Sequence, residues 1–327
     1  LKKQLNQFGY YLSQTTSRDP ESVQIMNTPS PQLRLWTDKK EASHSKHLLT
    51  EYLQSRFDTR LYSASQLERY QLCPQRFFYQ SVLGHKIPKP SNELSAQDWG
   101  TFIHELLYKT HALTISDKTR SFKDHLYQTS QTLIQQKSRA NFEWEIKEAF
   151  LYGSPTEEGL LDAIIATKDS FDASVSPKYF ELSFGTTKDS EVILTKNNRT
   201  LRLRGQIDMV LTTTDDQKFA VLDYKTGSKI ATSAELTRFE SLQLPLYYLA
   251  YSQLHPEKTG IGGIIWHLNK PSKASKKVLF CTEEAKKKDF DCNRKRPLIL
   301  SDQYLSELKD CLFDIKDNII SNKLNYK

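Results

Sequence analysis

The stretch RGQIDMVLTTTDDQKFAVLDYKTG, residues 204–227, places Asp208, Asp223 and Lys225 inside what otherwise reads as a pair of short apolar strands. In VLDYK the side chains of a strand alternate, so Asp223 and Lys225 share one face while Leu222 and Tyr224 share the other. The strand rise holds that acid and that base roughly 7 Å apart at their Cα atoms. The interval from Asp208 to Asp223 leaves room for two strands and a turn at Asp215-Asp216, so the carboxylates can lie side by side. Gly205, just upstream, permits a close approach of backbone or ligand. Two carboxylates beside a lysine suit a hard divalent cation such as Mg²⁺. A metal so placed lowers the pKa of bound water and steadies charge on a phosphoryl oxygen, leaving the lysine to orient or deprotonate the attacking water. That chemistry is phosphodiester hydrolysis. The competing reading is a cross-strand Asp–Lys pair on a solvated face.

Two further segments carry polar groups at useful spacing. WGTFIHELLYKTHAL sets His104 on a helix among Phe102, Ile103, Leu106 and Leu107, where a histidine is more often a packed residue than a ligand. SLQLPLYYLAY spaces Gln243 and Tyr247 four apart, on one helix face, where they can position a nucleophile or a phosphate. Taken alone, that pair is equally an amphipathic edge.

The elements that must hold these residues change character along the chain. Residues 1–60 are polar, with Pro20, Pro29 and Pro31 breaking any long element, and read as an irregular segment or the edge of a preceding domain. From Ser63, SASQLERYQLCPQRFFYQSVLG predicts two short helices divided at Pro74, and residues 95–113, 121–150 and 157–173 predict three more. The period then shortens to 2. Residues 178–185, 191–195, 200–213 and 218–225 predict four strands in succession, an antiparallel meander. Residues 234–254 predict a helix with Pro245 in its first turn, and 260–270 a fifth strand parallel to its neighbour. Basic loops and a closing helix from Ser301 follow. The class is α/β, with one mixed central sheet flanked by helices.

Composition bounds the partners. Lysine and arginine number 46 against 39 aspartates and glutamates, a formal charge of +7, which attracts polyanions at long range. No apolar run has the ~20 residues of a membrane helix, and Leu1-Lys2-Lys3-Gln4 does not open a signal peptide, so a cytoplasmic protein is expected. The first residue, Leu rather than Met, suggests a segment of a longer chain. Cys73, Cys281, Cys292 and Cys311 include no C-x-x-C pair, which argues against a disulfide framework or a zinc ribbon. Cys311 falls in an apolar helical stripe and is expected in the core.

In this order, SASQLERYQLCPQRFFYQSVLG, GTFIHELL, GQID, LDYKTG and QLPLY resemble the RecB-like nucleases of the PD-(D/E)XK superfamily, most closely the nuclease domain of AddB-type helicase–nuclease subunits. The resemblance spans about 63–254, and the strand at 261–268 agrees in type. It implies a restriction-endonuclease-like fold over 61–327 that acts on DNA ends in recombination or repair. It further implies that His104, Asp208, Asp223 and the Tyr224 carbonyl hold Mg²⁺ or Mn²⁺, that Lys225 is the catalytic lysine, and that Gln243 and Tyr247 complete the site. Glu181, in FELSFG, matches an acidic position of many such proteins and would support the site. AddB-type proteins join the cysteine of the CPQRFFY motif to three closely spaced ones near the C-terminus in an iron–sulfur cluster. Cys281, Cys292 and Cys311 lack that spacing, so this chain is not expected to hold one. It also lacks a G-x-x-x-x-G-K-[ST] loop, which places helicase activity in a partner.

The basic run from Lys276 to Arg296 is either a track for a DNA backbone, through Lys276, Lys277, Lys286, Lys287, Lys288, Arg294, Lys295 and Arg296, or a solvated loop. Two functions follow: a metal-dependent deoxyribonuclease, or an inactive DNA-binding or scaffolding module that keeps the fold. The intact set of His104, Asp208, Asp223 and Lys225 favours the first.

Overall fold

The computed structural model describes residues 39–85, 94–137, 142–168, 175–288, 290, 296–321 and 323. Helix α1 (Lys39–Phe57) leads to β1 (Leu61–Tyr62), α2 (Ala64–Leu72), the short α3 (Pro74–Phe77) and a π turn at Phe78–Val82. Pro74 opens α3, where its missing N–H costs nothing. Next come α4 (Ala96–Ser116), α5 (Phe122–Lys137), α6 (Phe142–Tyr152), the small hairpin β2 (Gly153–Ser154) and β3 (Glu157–Glu158), and α7 (Leu160–Lys168). The strand region holds β4 (Val175–Phe184), β5 (Val192–Lys196), β6 (Arg199–Leu203), β7 (Gly205–Thr213) and β8 (Lys218–Lys225). The last part holds α8 (Ser233–Thr237), α9 (Gln243–Leu254), β9 (Thr259–His267), β10 (Ser275–Cys281), α10 (Glu283–Lys288), β11 (Leu298–Ile299) and α11 (Asp302–Ile320).

One mixed sheet, in the order β11-β10-β9-β8-β7-β4, organises the molecule. β8 and β9 run parallel with α9 as their crossover, and the β4–β7 and β7–β8 pairs are antiparallel. Helices cover both faces. On one, Val210, Val221 and Ile265 pack with α9, α11, α1 and α2; on the other, Met209, Leu222 and Trp266 pack with α4, α5, α6 and α7. This is the expected restriction-endonuclease-like α/β architecture. Among the described residues, no helix is long and apolar enough to cross a membrane.

Several elements differ from the expectation. The four strands are not one meander: β5 and β6 pair with each other and with β1 in a separate three-stranded sheet. The 200–213 run breaks at Arg204, whose N–H donates to the Tyr62 carbonyl as the last bond of the β1–β6 ladder before the chain enters β7. The segment 121–150 gives two helices, α5 and α6, rather than one. The segment 234–254 also divides, because Phe239 turns to φ +56 and leaves the helical path; α9 then starts at Gln243 with Pro245 in its first turn. The basic loops after 270 contain β10, α10 and β11, with Val278, Leu279, Phe280 and Cys281 buried. Residues 39–57 of the supposedly irregular N-terminal segment are helical, and Leu53 and Phe57 enter the core. Cys311 is only half-buried, at the core's edge, and accepts from Gln71 Nε2 at 3.5 Å.

Candidate active site

The β7–β8 ladder pairs Met209 with Leu222 and runs back to Thr212 and Phe219. Beyond Met209 the pairing stops, and Asp208 Oδ2 accepts the Tyr224 N–H at 2.7 Å. Asp208 and Asp223 therefore sit where the two strands part, at 5% and 2% exposure. Burying two carboxylates is costly unless positive charge and donors reach them. Both helical faces supply these.

From one face comes His104. Its helix is fixed at the start by a reciprocal cap, in which Ser95 Oγ accepts from Asp98 N–H and Asp98 Oδ2 accepts from Ser95 N–H. His104 Nδ1 lies 3.4 Å from Asp208 Oδ1 and 3.7 Å from Glu181 Oε1. Ligand atoms of His104, Glu181 and Asp208 all fall within 4.8 Å of one another. Burial alone would lower the His104 pKa, but its bonds to Asp208 and Glu181 outweigh burial and push it up to about 10. A cation held by His104 would take the place of that proton, since only the neutral imidazole ligates. The Tyr224 ring stands edge-on to the imidazole, centroids 5.3 Å apart. Glu181 sits between the Phe180–Met209 and Leu182–Ile207 pairs of the β4–β7 ladder. Its φ of +48° is strained for a residue with a long side chain, and such strain concentrates at functional sites. Its Oε1 is buried and meets His104 only across the 3.7 Å of a long ion pair, without a shorter hydrogen bond. Two carboxylates and an imidazole so clustered fit a divalent cation.

From the other face come Lys225, Gln243 and Tyr247. Lys225 Nζ lies 2.7 Å from Asp223 Oδ2 and donates to Gln243 Oε1 at 2.8 Å. Gln243 Nε2 donates to Asp223 Oδ1 at 2.8 Å and to the Tyr247 hydroxyl at 3.1 Å. The amide can point only one way, since an ammonium only donates and a carboxylate only accepts. Burial and then the Asp208 charge push the Asp223 pKa up, against the pull of Lys225 and His104. The loop after Lys225 is tied to the end of β9, with Asn269 Nδ2 donating to the Thr226 carbonyl at 2.9 Å and His267 Nε2 2.8 Å from the Gly227 carbonyl.

The structure thus brings His104, Asp208, Asp223, Lys225, Gln243 and Tyr247 to one end of the sheet, with the Tyr224 backbone between the aspartates. The tightest ligand cluster takes Glu181 beside His104 and Asp208, whereas both Asp223 oxygens face Gln243 and Lys225. Nothing in FELSFG marks Glu181 beyond its type, because the signal is its backbone twist. In the basic run, Lys276 is occupied: its ammonium donates to the Lys168 carbonyl and lies 4.6 Å from the Trp266 ring centroid. Arg294, Lys295 and Cys292 fall outside the described residues.

A family model described as the PD-(D/E)XK nuclease superfamily matches residues 61–321. No curated protein gives a significant match. Among solved structures, the crystal structure of SSO0001 aligns with 84% of this chain and 86% of its own at 11% identity and a TM-score of 0.28, too loose a superposition to carry any argument.

Proposed function

The chain belongs to the PD-(D/E)XK nuclease superfamily, and we propose that it is a metal-dependent deoxyribonuclease of the RecB-like, AddB-type branch, processing DNA ends during recombination or repair in the cytoplasm. In this reading residues 61–327 carry the nuclease unit, the preceding segment contributes α1 to its core through Leu53 and Phe57, and a helicase is its partner. The reading rests on one observation above all: a partly buried His104–Glu181–Asp208 cluster beside the Asp223–Lys225–Gln243 triangle.

His104, Asp208 and Asp223 would hold Mg²⁺ or Mn²⁺, with the Tyr224 carbonyl, and Glu181 joins them on the strength of its place in the cluster with His104 and Asp208. When bound, the cation supplies Lewis acidity toward a phosphoryl oxygen and lowers the pKa of water. The chain's own groups do the rest. Lys225, held between Asp223 and Gln243, presents an ammonium of fixed direction at the mouth of the site, where it orients the attacking water and meets the charge that grows on phosphate. Gln243 keeps that ammonium from collapsing wholly onto Asp223. Tyr247, its hydroxyl pinned by Gln243, closes the site toward α9. The test is cleavage of linear and circular DNA with Mg²⁺ or Mn²⁺, with and without excess EDTA. Cutting that requires the metal supports the reading. Cutting that persists in EDTA excludes the mechanism, and metal-independent binding without cutting favours a DNA-binding module.

A further inference from the structure

We propose that Glu68 is a positioning residue for the site, acting through Gln243; the proposal rests on the nuclease reading for its effect on rate, though not for its geometry. Glu68 lies on α2, inside the SASQLERYQL segment, and touches neither Lys225 nor either aspartate in any recorded contact. Its Oε1 accepts two backbone donors, Leu242 N–H at 2.7 Å and Gln243 N–H at 3.1 Å.

Those two N–H groups belong to the start of α9, where the first turn of any helix has donors without intrahelical acceptors. Leu242, the cap residue itself, has no side chain able to accept them. A carboxylate from another helix takes that role, and its charge complements the positive end of the helix dipole. What makes this cap unlike an ordinary one is the residue it holds. Gln243 is both the second donor to Glu68 and the side chain that bridges Lys225, Asp223 and Tyr247. The backbone of the bridging residue is therefore anchored at the same place where its side chain must be aimed.

Without Glu68 the first turn of α9 is free to fray. The Gln243 amide would then sample directions that leave Lys225 with Asp223 as its sole partner, and the ammonium would turn inward. Phosphate contacts elsewhere would be untouched, so the loss should fall on turnover rather than on DNA affinity.

Amide hydrogen exchange and kinetics on the full chain test this together. In Glu68→Ala, exchange at Leu242 and Gln243 should accelerate at least about tenfold, the scale of one lost charge-assisted hydrogen bond. Amides of the β7–β8 ladder should keep their protection, which separates a local effect from failed folding. Glu68→Gln retains an acceptor oxygen and should restore most of that protection. In the cleavage assay, Glu68→Ala should lower kcat by about tenfold or more with KM for DNA little changed. It should cause little further loss in a Gln243→Ala background, since residues acting through one link are not additive. Unchanged exchange at Leu242 and Gln243, or an equal loss of rate on both backgrounds, overturns the proposal. If the wild-type chain cleaves nothing with any metal, the nuclease reading fails by itself, and the exchange data still decide whether Glu68 holds Gln243.

Discussion

At the residue scale, the site is two groups of charge that meet at a gap between strands. His104, Glu181 and Asp208 form the cluster proposed, with Asp223, to hold a cation, while Gln243 bridges Lys225 and Asp223. Glu181→Ala removes one of the two carboxylates that cluster with His104, and Mn²⁺ affinity measured by calorimetry should fall at least about tenfold. An unchanged affinity would remove Glu181 from the ligand set. Gln243→Met keeps the side chain's length but neither donor nor acceptor, so kcat should fall by about 10² while KM for DNA holds. A change confined to KM would show that Gln243 touches DNA instead. Most of these residues were legible in the sequence because alternation in VLDYK and the four-residue spacing of Gln243 and Tyr247 are local facts. Glu181 entered only through the resemblance, since its left-handed backbone turn in β4 leaves no local pattern, and Glu68 was not legible, since its role depends on two helices meeting far apart in sequence.

At the element scale, the close fit of aromatic rings around the strand ends decides how much change the scaffold tolerates. A Cβ at Gly205 would stand 2.7 Å from Phe184 Cζ and 3.2 Å from Tyr247 Cε1. The close approach expected there is thus made by rings that also border the site. Gly205→Ala should destabilise by about 1–3 kcal/mol in urea unfolding, as overpacking does, and an unaltered midpoint would show that the rings yield freely. On the other side of the sheet, His111 of α4 lies flat against Phe180, centroids 4.5 Å apart, with Phe122 beside it. Burial, with Lys276 and Lys168 nearby, lowers its pKa to about 3. Below the ordinary histidine pKa the unfolded chain binds a proton that the folded chain refuses. His111 therefore costs no stability above that value and progressively more as pH falls from it toward 3. His111→Phe should gain on the wild type by about 2 kcal/mol between pH 7 and pH 5, and a gap that does not vary with pH would refute the assignment. Helix α1 is written in the sequence, where Leu49, Leu53 and Phe57 recur every four residues, although Pro20, Pro29 and Pro31 upstream suggest an irregular segment. The β5–β6 hairpin was not legible as a separate sheet, because strand pattern says nothing about which edge a hairpin joins. It is held there by α11, where Arg199 meets Asp310, Asp314 and Asp317.

At the scale of the whole molecule, the +7 charge suits the polyanionic substrate proposed for the site. DNA affinity measured in Ca²⁺, which is expected to bind without supporting cleavage, should fall linearly on a log–log plot against salt. An affinity indifferent to salt would mean that phosphate contacts do not dominate. The sequence order of the motifs carried the fold class and most of the site, whereas the division of strands between two sheets required the coordinates. The central claim is that Lys225 acts on the reaction and not merely on the packing of Asp223. Lys225→Ala keeps both carboxylates, His104 and nearly all of the basic surface, so DNA binding should change little. The decisive measurement is single-turnover cleavage of linear DNA in Mg²⁺ by the wild type and Lys225→Ala. The wild type should cut only with metal present, and the variant should be slower by ~10²–10⁴ at equal DNA binding. Equal rates in the two proteins would contradict the account.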